Sequence, residues 1–116
     1  MLYKLKVSPT VADKLCELSK TLENSYGAQR KTEIISHIKS EVKDLQTNPY
    51  KGTSVEAILN VRTPYRFLHT EHNFIFYKVD NYTVFVTEIF NEKEDFLQRM
   101  FGVRLRTQES IDYWGD

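Results

Sequence analysis

Two arginines and two histidines in one short stretch are the side chains in this sequence best suited to chemistry. Arg62, Arg66, His69 and His72 follow one another at intervals of three or four residues. A guanidinium binds a phosphate or a carboxylate through two parallel hydrogen bonds, and an imidazole titrates near neutral pH. This stretch could therefore bind an anionic group and move a proton.

The same residues have simpler structural explanations. Arg66 could be a surface arginine paired with Glu71 or Glu88, and His69 and His72 could be solvated side chains of a loop. The two histidines are three residues apart in a strand-loop region, so they need not share a face. A strand holds a side chain more firmly than a loop does, which favours a binding role for Arg66.

Further candidates lie on either side of this stretch. Lys51 precedes Gly52 on a predicted loop and could contact phosphate, with a solvated lysine as the alternative. Asn91 is a good helix N-cap and could also donate hydrogen bonds in a site. No Ser-His-Asp order, glycine-rich phosphate loop or zinc-ligand spacing stands out, so we expect no metal and no cofactor. Three more basic residues could contact an acidic partner, namely Lys93, Arg104 and Arg106.

The elements that must position these residues are organised around two adjacent strands. Phe74–Val79 and Tyr82–Phe90 are rich in aromatic and β-branched residues, which favour strands. The two residues between them, Asp80-Asn81, suit the central positions of a type I′ hairpin turn. Apolar residues fall on both faces of each strand, so we expect a sheet that is covered on both sides.

Two amphipathic helices are predicted to supply one of these covers. Ser8 is a good N-cap with Pro9 after it, and apolar spacing predicts a helix from Pro9 to about Glu23. Cys16 would be a core or boundary residue beside the apolar stripe of that helix. A second helix runs from about Ala28 to Gln46 and ends before Asn48-Pro49. Together they predict an αα-hairpin.

The remaining segments complete the predicted fold. Tyr3–Val7 alternates as a strand with one buried face, residues 50–54 read as a polar loop, and residues 55–61 fit no element clearly. Tyr65–Thr70 is predicted as a strand with a loop at Glu71-His72 after it. A third, short helix is predicted from Asn91 to about Gly102, and residues 103–116 form a tail. The expected class is α+β: a mainly antiparallel sheet of about four strands, with the helical hairpin on one face.

Length and composition predict one domain without a membrane span. The chain has 116 residues and a formal charge of zero. The single cysteine, Cys16, excludes an internal disulfide framework, and no apolar run is long enough to cross a bilayer. Balanced charge argues against strong nonspecific nucleic-acid binding. We expect a cytoplasmic protein with no membrane partner.

The order of these elements, together with several local strings, resembles the RelE/ParE family of bacterial toxins over residues 2–101. The strings are Ser8-Pro9, Asn48-Pro49 with Gly52 after it, Tyr65-Arg66-Phe67, Phe76–Asp80 and Ile89–Phe96. The resemblance implies the toxin of a type II toxin–antitoxin pair, held inactive by a cognate antitoxin. RelE-like members cut messenger RNA on the ribosome, and ParE-like members block DNA gyrase without a comparable active site.

The resemblance does not fix the target, and ribosome-dependent mRNA cleavage is the leading hypothesis. Ribosome-dependent mRNA cleavage would use Arg66, Arg62, Lys51 and one of His69 or His72, and Lys93, Arg104 and Arg106 would contact RNA. However, Asn73-Phe74 stands where many members carry an arginine, and Asn91 stands where many carry a histidine. The alternatives are a non-enzymatic gyrase inhibitor acting through the helical hairpin and tail, or a degenerate toxin that only binds its antitoxin.

Overall fold

A computed structural model describes residues 2–60 and 62–92. The elements follow one another in the order that the sequence predicts, with one additional short strand and one additional short helix. Their bounds are β1 Lys4–Val7, α1 Pro9–Tyr26, α2 Ala28–Lys43 with a 3₁₀ turn Asp44–Gln46 after it, β2 Thr53–Ser54, α3 Val55–Leu59, β3 Arg66–Thr70, β4 Asn73–Asp80 and β5 Thr83–Asn91.

The strands form one five-stranded sheet in the order β1-β5-β4-β3-β2. Only β1 and β5 are parallel, and the other neighbours are antiparallel. The predicted α+β class, with a mainly antiparallel sheet and an N-terminal helical hairpin, is confirmed. The fifth strand is β2, which lies in the segment predicted as a polar loop. Thr53 and Ser54 pair with Phe67 and Arg66, a contact between distant residues that local composition cannot reveal.

Both antiparallel hairpins turn on two residues with positive φ. The β4–β5 turn is centred on Asn81 and Tyr82, with φ of 51° and 59°. The predicted centre, Asp80-Asn81, was wrong by one residue, because Asp80 stays in β4 as the partner of Thr83. Turn propensity favours Asp over Tyr, but the register is set by the apolar residues that must face the two cores.

The helical hairpin covers one face of the sheet. Ile38 and Leu45 are completely buried and pack with Ile75, Tyr77 and other apolar side chains of the strands. This cluster also takes in half-buried leucines of α1, which recur at helical spacing along the stripe that the sequence predicts. The two helices therefore act as one layer over β3, β4 and β5.

The second face carries a smaller aromatic core. Phe76 and Phe90 are buried there together with Val55, which begins α3. The sequence left residues 55–61 undecided, and the structure places a helix of five residues at Val55–Leu59. Ser54 caps it by accepting a hydrogen bond from the Ala57 amide. A helix this short gives little apolar periodicity, so the sequence signal was weak.

Two predictions about the burial of side chains were wrong. Val7 is 43% exposed, because β1 lies at the edge of the sheet and α1 covers it incompletely. Cys16 is exposed, since its helical position lies outside the apolar stripe of α1. The predicted third helix beyond Glu92 and the predicted tail at residues 103–116 lie outside the described residues. Within the described ranges, no helix is long and apolar enough to cross a membrane.

Candidate functional site

Strand β3 carries the two strongest site candidates on opposite faces of the sheet. Successive side chains of a strand alternate between faces. Leu68 belongs to the core under the helical hairpin, and Phe67 belongs to the aromatic core on the other side. Arg66 therefore shares the helix-covered face with Leu68, whereas His69 shares the aromatic face with Phe67. The sheet itself separates the guanidinium from the imidazole.

Arg66 is held by the loop before β2. Its Nη1 donates a hydrogen bond to the Gly52 carbonyl oxygen at 3.2 Å, and its guanidinium carbon lies 5.3 Å from the centre of the Tyr50 ring. The side chain is half-buried. The pairing with Glu71 or Glu88 that the sequence allowed is not formed; these carboxylates pair with His37 and Lys14. Arg66 fixes the loop, and it keeps guanidinium donors beyond the one bonded to Gly52.

The side chain of Tyr77 also contacts this loop, at Gly52. Its hydroxyl oxygen accepts a hydrogen bond from the Gly52 amide at 2.9 Å, and the residue has no exposed surface. Burial raises the pKa of the Tyr77 hydroxyl, which keeps it protonated. Its burial makes Tyr77 a residue of the core.

Lys51 lies on this loop beside two carboxylates of the helical layer. Its Nζ is 2.7 Å from Glu41 Oε2 and 2.9 Å from Asp44 Oδ2. The hydrogen bond from Lys51 lowers the pKa of both carboxyls. Burial lowers the pKa of Lys51 itself, but the hydrogen bonds to Glu41 and Asp44 outweigh that effect and raise it. An incoming phosphate would have to compete with two carboxylates for this ammonium group.

The two candidate histidines meet on one carboxylate. His69 Nε2 contacts Glu92 Oε2, and His72 Nδ1 lies 3.2 Å from Glu92 Oε1. The hydrogen bond from His69 is the main reason that the pKa of Glu92 is lowered, and the bond from His72 adds to it. The His69 ring also stacks on Phe74, with 4.6 Å between ring centres. This exposed trio could relay a proton, since imidazoles and a carboxylate are within hydrogen-bonding distance.

A third histidine, His37, belongs to a separate network of charged side chains. His37 Nδ1 is 2.8 Å from Glu71 Oε1, and His37 Nε2 is 3.5 Å from Glu41 Oε1. The hydrogen bond to Glu71 raises the pKa of His37. The spacing of His37 and Glu41 by one helical turn could have revealed half of this network. The sequence around Glu92, in contrast, did not indicate its contacts with His69 and His72.

Two other predicted site residues, Arg62 and Asn91, lie in the described part of the chain. Arg62 is exposed in the irregular segment before β3. Asn91 is the last residue of β5 and pairs in register with Asn73. Within residues 2–60 and 62–92, no group of three or more His, Cys, Asp or Glu side chains could hold a metal ion. Lys93, Arg104 and Arg106 lie outside the described residues.

Comparison with known proteins defines the class to which this fold belongs. A solved structure described as the chromosomal ParDE TA system from P. aeruginosa is similar with a TM-score of 0.65 and 17% identity. The match covers 78% of this chain and 96% of that one. At this identity the match shows a shared fold. A comparison with curated protein sequences returned no match.

The family follows from the sequence itself. Residues 5–96 match the family described as ParE toxin of type II toxin-antitoxin system, parDE. This span covers most of the chain and all the described elements except the first residue of β1. The chain belongs to the ParE toxin family of type II toxin–antitoxin systems, and the resemblance inferred from the sequence is confirmed.

Proposed function

We propose that this chain is a non-enzymatic toxin that inhibits growth by binding DNA gyrase, and that a cognate antitoxin holds it inactive. Membership of the ParE family supports this target, because ParE-like toxins are expected to block gyrase without an RNA-cleaving centre. The proposal reverses the preference of the sequence analysis, which favoured ribosome-dependent mRNA cleavage.

The observation that carries the proposal is the separation of Arg66 from His69 by the sheet. RNA cleavage of the expected kind needs a cation beside the phosphate and a proton acceptor within hydrogen-bonding reach of the attacking hydroxyl. Arg66 lies on the helix-covered face and bonds to Gly52, whereas His69 lies on the aromatic face and bonds to Glu92. Lys51 is paired with Glu41 on the helical side. One phosphodiester could not contact all these groups at once.

An apolar cavity supports the antitoxin part of the proposal. It has a volume of about 420 Å³ and lies between β1, β5 and the two long helices. Leu5, Val11 and Ile38 are among its apolar lining residues, while Lys39 and Lys43 contribute basic groups. A cavity of this kind suits an amphipathic segment with acidic residues beside its apolar ones. We assign the cavity to a segment of the antitoxin.

Expression of the full chain without an antitoxin tests the target directly. We expect arrested growth, and inhibition of supercoiling when the purified chain is added to DNA gyrase and relaxed plasmid. The paired variants His69→Gln and His72→Gln should inhibit supercoiling like the original chain, because gyrase binding needs no proton relay. Normal supercoiling in the presence of a toxic, folded chain would contradict the gyrase proposal.

Messenger RNA cleavage is the second candidate, and the His69–Glu92–His72 trio favours it. Two imidazoles on one exposed carboxylate could supply both a general base and a general acid beside the β3–β4 turn. In that case Arg66 would act as a structural residue of the Gly52 loop. The cation for the phosphate would have to come from another residue.

Mapping of transcript ends separates the two candidates. Under the cleavage candidate, toxic expression produces truncated messages on ribosomes, and His69→Gln lowers cleavage by about 10²-fold or more. His37→Gln is the matched control, since His37 is an exposed histidine outside the trio. Intact transcripts during growth arrest would exclude cleavage. Absence of any growth effect from a folded chain would favour the degenerate toxin that only binds its antitoxin.

A further inference from the structure

Three neighbouring strands place two lysines on either side of one phenylalanine. Lys6 on β1 and Lys78 on β4 are both register partners of Phe85 on β5. The ammonium groups lie 5.9 Å and 6.0 Å from the centre of the Phe85 ring. We call these three residues the Lys–Phe–Lys row. The Lys–Phe–Lys row has no role in the proposed gyrase binding or in the candidate RNA cleavage.

The row lies on the face of the sheet opposite to the helical hairpin. Val84 and Val86, on either side of Phe85 in β5, belong to the core under the helices. Alternation along the strand therefore turns Phe85 to the other face. Lys6 is exposed, and Lys78 and Phe85 are half-buried, so solvent reaches the row. A partner bound here would not compete for the cavity beside the helices.

Within residues 2–60 and 62–92, no carboxylate neutralises the positive charge of the row. Among the described residues, neither Lys6 nor Lys78 forms an ion pair, and the same is true of Lys4, two residues before Lys6 on β1. Asp80 is the acidic residue nearest to Lys78 along β4, and it lies beyond ion-pair distance from these lysines. By contrast, Lys14 and Lys51 are each paired with a carboxylate. As far as the described residues show, the row therefore offers two ammonium groups near an apolar ring, neither of them paired with a carboxylate.

We propose that the Lys–Phe–Lys row docks an acidic amphipathic helix of a partner protein. Lys6 and Lys78 are two strand spacings apart, which is about 10 Å. Acidic side chains at positions i and i+7 of a helix are separated by about the same rise, and apolar side chains at i+3 and i+4 lie between them on the same face. Such a helix could place one carboxylate on each lysine and an apolar side chain on Phe85.

Single-stranded nucleic acid fits the row less well. Base stacking needs an aromatic face open to the solvent, whereas the ring of Phe85 is half-buried and has an ammonium group near it on each side. The formal charge of zero also gives the chain little long-range attraction for a phosphate backbone. The observations therefore favour carboxylates on a protein.

A labelled peptide tests the proposal with the full chain. The probe is an alanine-based helical peptide with glutamate at i and i+7 and leucine at i+3 and i+4, and binding is followed by fluorescence anisotropy. We expect saturable binding that Lys6→Gln and Lys78→Gln each weaken by about threefold, and that added salt weakens further. Lys20→Gln, an exposed lysine on α1, is the matched control and should leave binding unchanged.

Further controls distinguish binding at the Lys–Phe–Lys row from binding elsewhere on the protein. A peptide with glutamine in place of both glutamates should lose most of the binding. Inhibition of gyrase by the original chain is measured alongside, so a failed gyrase assay with intact peptide binding contradicts only the proposed function. The docking proposal is overturned if the acidic peptide does not bind, if Lys20→Gln weakens binding as much as Lys6→Gln does, or if a single-stranded oligonucleotide binds the row more tightly than the peptide.

Discussion

Gly52 shows how one residue fixes the position of the loop next to Lys51 and Arg66. A β-carbon added to Gly52 would lie 2.5 Å from the Tyr77 hydroxyl oxygen and 2.8 Å from the Phe67 carbonyl oxygen. The second contact is with backbone, so no side-chain rotation could relieve it. The close approach of this loop to β3 and β4 therefore requires glycine.

The Tyr77 hydroxyl should stabilise this loop measurably. Tyr77→Phe removes the acceptor for the buried Gly52 amide, and we expect the free energy of unfolding to fall by about 1–3 kcal/mol. Urea denaturation measures the change. Tyr26→Phe is the control, because Tyr26 is 66% exposed and should show almost no effect. Equal stability of Tyr77→Phe and the original chain would mean that water replaces the hydroxyl at no cost.

The pKa of His37 should make the contact between α2 and the β3–β4 turn depend on pH. Glu71 raises this pKa, so the stabilisation is fully present below the ordinary histidine pKa of about 6.5 and is lost as the pH rises through the raised value. An NMR titration of the His37 ring should show the raised midpoint, and Glu71→Gln should lower it. Glu17→Gln, on exposed α1 surface, should leave the midpoint unchanged; a shift there would point to a general charge effect.

The types of the site residues were easier to predict from sequence than their partners. Arg66 and the two histidines could be identified as candidates because a guanidinium binds anions and an imidazole titrates near neutral pH. Arg66 and His69 are separated because they occupy opposite faces of β3. The alternation of side chains along that strand could have indicated this separation. The contacts of Glu92 could not be predicted, because they join the residue after β5 to the end of β3 and the β3–β4 turn.

At the scale of elements, Ser8 joins helix α1 to the sheet. Its hydroxyl oxygen accepts a hydrogen bond from the Val11 amide at 3.2 Å and its hydroxyl donates to the Thr87 carbonyl oxygen at 3.1 Å. Its own amide donates to the Val86 carbonyl oxygen. The cap was readable from the local sequence, but the bond to Thr87 was not, since 79 positions separate the two residues.

Removing this cap should weaken the connection between helix and sheet. Ser8→Ala loses both side-chain hydrogen bonds, and we expect the protein to be destabilised by about 1–2 kcal/mol. Ser36→Ala, at an exposed position within α2, is the control and should be neutral or slightly stabilising. Thermal unfolding of the two variants checks this difference. A Ser8→Ala variant as stable as Ser36→Ala would show that the cap contributes nothing.

At the scale of the whole molecule, the parallel pairing of β1 with β5 joins the start of the chain to its last described strand. Lys4 and Ser8 donate their amides to the carbonyl oxygens of Tyr82 and Val86. The sequence predicted both strands, but it did not indicate that they would be neighbours. Strand pairing over such a separation depends on the tertiary fold, which local patterns do not encode.

This pairing should be lost only when the whole domain unfolds. We expect the amides of Lys4 and Ser8 to exchange with solvent as slowly as those of β4 and β5, because all belong to one continuous sheet. Native-state hydrogen exchange followed by NMR measures these rates. The exposed amide of Thr10 in the first turn of α1 serves as a fast-exchanging reference. Fast exchange at Lys4 with slow exchange in β5 would mean that β1 opens on its own.

The same pairing has a consequence for synthesis on the ribosome. Strand β1 is made before its partner, which begins at Thr83, so the nascent chain cannot complete the sheet until β5 has been translated. Until then the apolar side of β1 has no strand beside it. Premature termination before Thr83 would therefore yield a fragment that contains β1 but lacks its partner β5, so the sheet could not be completed.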